Sequence, residues 1–220
     1  MAGLRQRQKA DREQRILTAA ADLFRDAGYE GAKIEAIAER AGVSAGTIYN
    51  YYQNKGDLLV AIVAMEVNEV LKAGAVHIGR RHQSVVKAVD RLVAIYIGHS
   101  LVYLSKEMWR EAMATATRQP YSPFGRFFSG LDERLAEQVC GLLVELRRAG
   151  LLADDIDMAS TGQLIFNNLN MMFTVFIKAE PMTIPQVLAA IKRQQRIVLL
   201  RAAERTSGGI QASRGAAEFS

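Results

Sequence analysis

Between Ala41 and Lys55 the chain reads AGVSAGTIYNYYQNK, which gathers Tyr49, Tyr51, Tyr52 and Lys55 in a glycine-punctuated run too short to be a core. Hydroxyls and an ammonium at this density are groups that hydrogen-bond to phosphate oxygens. Ala45 and Gly46, just ahead of them, are small enough to let a helix come close to base edges. Thr47 can donate to a phosphate or press its methyl against that of a thymine. Other chemistry is sparse. His77 and His82 are five apart, off a common helical face, and His99 lies on another segment, so no metal set is expected. Cys140, the single cysteine, sits within the apolar pattern of Val139, Leu142, Leu143 and Leu146 and reads as a packed thiol. Glu107 and Glu111 flank Arg110 as a solvated face, and Asp154, Asp155 and Asp157 read as a helix-start cluster. With no glycine-rich phosphate loop either, the chain is expected to be no enzyme and to need no cofactor.

The elements that must position those residues follow from apolar spacing. Residues repeat at i, i+3 and i+4 nearly everywhere and never alternate over the length of a strand, which predicts an all-α fold. A first helix is expected over 9–27, burying Ile16, Leu17, Ala20, Leu23 and Phe24 and ending at Gly28. A second, over 34–41, turns Ile34, Ile37 and Ala38 inward and stops at Gly42, with Val43 as a plug. Ser44 offers its hydroxyl as N-cap of a third helix over 45–52, and Asn54 with Asp57 caps a fourth running to about residue 74. Two short helices joined by a glycine turn and flanked by supporting helices form a helix-turn-helix, whose second member can enter the major groove. On that member Ile48 and Tyr52 point to the core, which leaves Ala45, Gly46, Thr47, Tyr49, Asn50 and Tyr51 outward.

The stretch AIAERAGVSAGTIYNYYQNKGDLL (36–59), preceded by RILTAAADLFRDAGYEGAKI (15–34), resembles the N-terminal DNA-binding domain of the tetracycline-repressor (TetR) family of transcriptional regulators. The resemblance covers residues 9–60 and rests on Ala-Gly-Val-Ser, Gly-Thr-Ile-Tyr, Tyr-Tyr and Asn-Lys before Leu-Leu. It implies that Thr47, Tyr49, Tyr51 and Lys55 contact DNA, and that Ala45 and Gly46 lie where members vary to read different operators. Ser44 and Asn50 complete the expected DNA-facing set. Lys33 stands where many members carry a helix-capping threonine, so a cationic phosphate contact would replace a hydroxyl one. Gly56 replaces a common acidic residue and should loosen the start of the fourth helix.

Overall charge locates this interface poorly. The chain of 220 residues is 50% hydrophobic with a net charge of +5, but residues 1–60 hold nine Lys/Arg against eight Asp/Glu. The local excess is Arg5, Arg7, Lys9, Arg12 and Arg15 facing only Asp11 and Glu13, a basic arm. No apolar run approaches the roughly 18 residues of a membrane span and no secretory signal is visible, so a cytoplasmic protein is expected.

The remaining chain divides into helices expected at 84–105, 105–117, 124–149, 156–179 and 184–205. A helical effector-binding and dimerisation domain is expected over 61–205, and a tail over 206–220 too poor in apolar residues to pack. Segment 156–179 is apolar on more than one face: Ile165, Leu169, Met172 and Phe176 form one stripe, and Phe166, Phe173 and Ile177 another. With Val187, Ile191 and Val198 of the next helix, the first stripe suits a four-helix bundle between two copies, the dimer interface the resemblance implies; the same residues would also serve as monomer core. A homodimer suits a near-palindromic operator. Tyr103, Trp109, Met113, Phe127, Phe128, Phe166 and Phe173 are candidates to line a pocket for a small apolar or aromatic effector near Trp109 and Phe166, although such residues also fill ordinary cores. Asn167, Asn168 and Asn170 would either bond across the dimer or orient that ligand. A helical protein binding nucleic acid without sequence choice is the competing expectation.

Overall fold

Short polar residues at the breaks in apolar periodicity start most of the helices. In the computed structural model, which describes residues 2–203, the order is α1 Ala2–Gly31, α2 Ile34–Ala41, α3 Ala45–Tyr49, α4 Lys55–Ile78, α5 Val85–His99, α6 Lys106–Arg118, α7 Pro123–Arg148, α8 Met158–Lys178 and α9 Ile184–Ala203. No strand occurs among the described residues. Ser44, Ser84, Ser105 and Ser122 each accept the backbone N–H of the residue three further on, and Asp157 accepts from Ala159 and Ser160. Each such cap satisfies amides that the helix leaves unpaired and contributes about 1 kcal/mol. The tail expected over 206–220 lies outside the described residues.

Two boundaries differ from expectation. α1 begins at Ala2 rather than near Lys9, because Leu, Arg, Gln, Lys and Glu favour helix even where no apolar face needs covering. The regular helix breaks at Gly28, whose φ of 73° suits a residue without Cβ. α3 is one turn long, ending at Tyr49 rather than Tyr52. The amides of Tyr51 and Tyr52 both still donate to the Ile48 carbonyl, so the chain keeps its helical sense long enough to bury Tyr52 as predicted.

Ile16, Ala20 and Phe24 of α1, Ile37 of α2, Ile48 of α3, and Leu58 and Ile62 of α4 are fully buried together and hold the N-terminal unit. α4 leaves that unit without a linker. At 1.5 Å per residue its 24 residues span about 36 Å, and its second half packs against α5, α6 and α7. α7 lies against α8, and α9 against both α5 and α8. Gly162 allows the α7 and α8 backbones to meet, since a Cβ there would sit 2.5 Å from Cys140 Sγ. Cys140 is therefore a packing residue, with a thiol pKa raised first by burial. Two loops are tied to the rest: Lys106 Nζ donates to the carbonyls of Ala179, Glu180 and Met182, and Arg25 Nη2 of α1 donates to Val102 O, 2.7 Å away.

Candidate nucleic-acid interface and interior cavity

The turn between α2 and α3 is closed by local bonds. Gly42 adopts φ 66° and its N–H reaches Glu39 O, while Val43 N reaches Ala38 O, the pairing of a left-handed helix stop. Ser44 Oγ accepts from Thr47 N at 3.1 Å and shares a hydrogen bond with Thr47 Oγ1 at 2.9 Å, which fixes the Thr47 rotamer. Ile48, fully buried, anchors the far side of α3. Gly46, Tyr49 and Asn50 are exposed, with Tyr49 at 51%, and Ala45, Thr47 and Tyr51 are partly so. One surface thus carries Ser44, Ala45, Gly46, Thr47, Tyr49 and Asn50. Tyr51 stacks on Tyr52, centroids 6.2 Å apart, with Lys9 Nζ 5.8 Å from the Tyr51 ring, so the basic arm of α1 reaches this surface. Tyr52 O–H donates to Glu13 Oε1; burial, then that carboxylate, raises the phenol pKa.

Lys33 is the N-cap of α2 and makes no side-chain cap bond, which leaves the first amides of that helix free for an anion beside an exposed ammonium. Lys55 is placed differently from the expectation. Its Nζ donates to Tyr29 O and Glu30 O, both at 2.9 Å, lies 5.0 Å from the Tyr29 ring and 3.9 Å from the Glu30 carboxylate. In this state it closes the C-terminal end of α1 and holds α4 against it, rather than standing free for a phosphate. Asn54 Oδ1 accepts from Asp57 N, and the Asp57 carboxylate accepts from Gln53 N at 2.8 Å, so α4 starts firmly despite Gly56.

The C-terminal helices enclose a cavity of about 80 Å³. Of the effector candidates, Trp109, Met113, Phe128, Phe166, Asn170 and Phe173 line it, with Trp109 and Phe173 edge to face at 5.1 Å. Three candidates do not. Phe127 lies one position round α7 from Phe128 and is 38% exposed; Tyr103 turns its O–H to Glu69; Asn167 faces outward and accepts from Gln163 Nε2. What the sequence reading missed is the α4 wall, Val63, Glu66, Val67 and Val70, together with Ser100 and Asp132. Glu66 is 1% exposed and well matched: Oε1 lies 2.5 Å from His99 Nδ1 and Oε2 accepts from Tyr103 N. Burial raises its pKa and His99 pulls it back. Asp132 receives only the Asn170 amide, and burial pushes its carboxyl up to about 6. Trp109 Nε1 donates to Ser100 O at 2.6 Å, which joins the cavity wall to the loop that Arg25 holds.

The expected dimer stripe needs correction. Ile165, Leu169, Met172 and Phe176, with Val187 and Ile191, are buried inside the single chain, and Val198 is partly buried. A stripe that satisfies its own domain cannot also face a partner. The apolar residues left bare on these helices are Leu164, Met171 and Val175 of α8, with Ile197 and Leu200 of α9; Met171 is 64% and Ile197 79% exposed. Asn168 sits beside them, its Nδ2 buried without an acceptor. His77 and His82, judged too far apart from helical spacing, meet at 4.8 Å because α4 ends at Ile78 and the chain folds back. No group of three or more metal-ligating side chains forms among the described residues, and none of their helices is long and apolar enough to cross a membrane.

A one-turn helix presented by a glycine turn on an all-helical body is the arrangement of a helix-turn-helix DNA-binding protein. Residues 16–62, the segment that carries α2, α3 and the start of α4, match the bacterial regulatory proteins, tetR family. The HTH-type transcriptional repressor KstR of Rhodococcus jostii is 36% identical over 85 residues, 37% of this chain and 40% of that protein. The fatty acid metabolism regulator protein of Bacillus subtilis is 21% identical over 175 residues, 78% of this chain and 86% of that one. The structure of FadR from Bacillus subtilis in complex with stearoyl-CoA superposes with a TM-score of 0.62 at 18% identity, covering 86% of this chain and 98% of that chain, and shares its fold.

Proposed function

We propose that the protein is a cytoplasmic, homodimeric repressor that binds a near-palindromic DNA operator and is released by a small molecule entering the interior cavity. The observation that carries this reading is the continuity of α4. Its first turn is locked to α1 under the α3 surface through Lys55, and its later residues Val63, Glu66, Val67 and Val70 form one wall of the cavity. A ligand that pushes this wall moves the DNA-reading unit with it, because no flexible linker absorbs the displacement. Trp109, Ser100 and the loop bonded to Arg25 supply a second connection to α1.

In this reading Tyr49, Thr47, Tyr51, Asn50 and Lys33 reach the backbone, and Ala45, Gly46 and Ser44 face the bases. Lys55 acts on DNA chiefly by positioning α4. Two copies meet through Leu164, Met171 and Val175 with Ile197 and Leu200, a face too apolar to be left to solvent on both helices. The cavity is small for a drug-sized ligand, for which pockets run to roughly 300–1,000 Å³. Binding therefore expands it, and the expansion is the signal. KstR is a repressor and the Bacillus subtilis FadR structure holds stearoyl-CoA, which support repression and effector control for a protein of this fold.

Selection from a pool of random duplexes, followed by salt titration of the enriched sequence, tests the reading. Enrichment of one sequence bound far more tightly than the pool supports it. Binding without enrichment, or no binding, overturns it.

A further inference from the structure

The two carboxylates on the cavity wall are not equivalent. Glu66 is hydrogen-bonded from behind by His99 and by the Tyr103 amide. Asp132 has no such partner: none of the ion pairs among the described residues involves it, and its one side-chain partner is the Asn170 amide. The rings of Trp109, Phe128, Phe166 and Phe173 line the same cavity, with the aliphatic surface of Val67 and Leu135. Water is scarce in such a space and an ionised carboxylate there is poorly solvated. An aromatic wall presents electron-rich ring faces to a positive charge.

Building on the reading of this cavity as the effector site, we infer that the ligand it takes is a small organic cation, an alkyl- or arylammonium, with its charge on Asp132 and its apolar body against Trp109, Phe166 and Phe173. Each half of that ligand has a match. The ammonium supplies the counter-charge that Asp132 lacks within the protein, and methylene or ring carbons fill the apolar walls. A carboxylate or phosphate ligand would set like charge against Asp132 in a medium that screens poorly. A neutral ligand would leave the carboxylate as it stands in the empty protein, without a counter-charge and with its pKa raised by burial. His99 does not take the cation's place, because both of its ring nitrogens already face Glu66 and Glu69.

Three benzyl probes separate the possibilities: benzyltrimethylammonium, its isosteric uncharged analogue neopentylbenzene, and the smaller anion phenylacetate. Each is titrated into the full-length protein by calorimetry, with Trp109 fluorescence as a second readout, since Trp109 is the single tryptophan and lines the cavity. The expected result is that the cation binds at least tenfold more tightly than either of the others at pH 7.5. Asp132→Asn should reduce cation affinity at least tenfold and leave the neutral probe unchanged or tighter. Equal or tighter binding of the neutral or anionic probe by the wild-type protein would overturn the inference and leave the cavity an effector site of another kind. If no probe of any charge binds, both the inference and the reading of the cavity fall. The wild-type comparison decides the matter even if Asp132→Asn folds poorly.

Discussion

The DNA-facing unit and the cavity are built by opposite means. Around α3 each group is fixed by a neighbour a few residues away: Gly42 stops α2, Ser44 caps α3, Asn54 caps α4, and Ile48 plugs the centre. Around the cavity the walls come from α4, α5, α6, α7 and α8, and residues as distant as Glu66 and His99 are brought within hydrogen-bond reach. The first surface has to keep one shape whatever DNA it reads. The second, under the proposed function, has to yield, and a space of about 80 Å³ with one poorly matched carboxylate is where a helical body gives way most easily. Under the proposed function, rigidity at one end of α4 and softness at the other let a small ligand move a large reading head.

Paired truncations should break this contrast if it is wrong. Phe24→Ala, in the filled core under α3, is expected to cost about 3–5 kcal/mol by urea unfolding, whereas Phe173→Ala on the cavity wall should cost no more than about 2, because part of its contact is already missing. Equal losses would mean that the cavity is as well packed as the DNA-binding unit.

The next effect concerns pH. The Asp132 carboxyl titrates near 6 in the fold and near 3.8 when unfolded, so its ionised form is the one the fold disfavours. Stability from this group is fully present below pH 4, declines as pH rises from about 4 to 6, and then levels off. About two pH units correspond to roughly 3 kcal/mol, so Asp132→Asn should be more stable than the wild type by up to that amount at pH 7. Asn170, which faces Asp132 from α8, does not titrate, and Glu66 is held by His99, so the difference between variant and wild type isolates Asp132. A difference that is flat with pH would place Asp132 in a wetter site.

Lys55→Met removes two charge-assisted bonds to the end of α1 and should cost about 1–3 kcal/mol. If Lys55 positions α4 rather than holding phosphate, operator affinity falls while its dependence on salt stays that of the wild type. Tyr49→Ala should instead weaken binding to all sequences alike. The smallest change, Ser44→Ala, removes one cap and should cost about 1 kcal/mol in thermal or urea unfolding.

The same contrast explains what could be read from the chain. α2, the Gly42 stop, the Ser44 and Asn54 caps and the inward Ile48 and Tyr52 were legible because a local signal, one or two residues wide, decides each of them. Helix count and type in the C-terminal part were legible from periodicity. Which face of α8 looks inward was not: Ile165, Leu169, Met172 and Phe176 form as good a stripe as Leu164, Met171 and Val175, and only the packing of α7 and α9 decides between them. Lys55 misled for a related reason. Its type suits phosphate, but the carbonyls that capture it end a helix some 25 residues earlier.

The account stands most directly on two DNA-reading units being paired across the bare face of α8 and α9. The measurement is duplex selection with the wild type and with Met171→Glu, each checked by sedimentation. The account predicts a wild-type dimer that enriches an inverted repeat and a variant that sediments as a monomer and enriches at most one half of that repeat. A wild type that enriches a single unrepeated site, or a variant that still dimerises and recovers the full repeat, would contradict it.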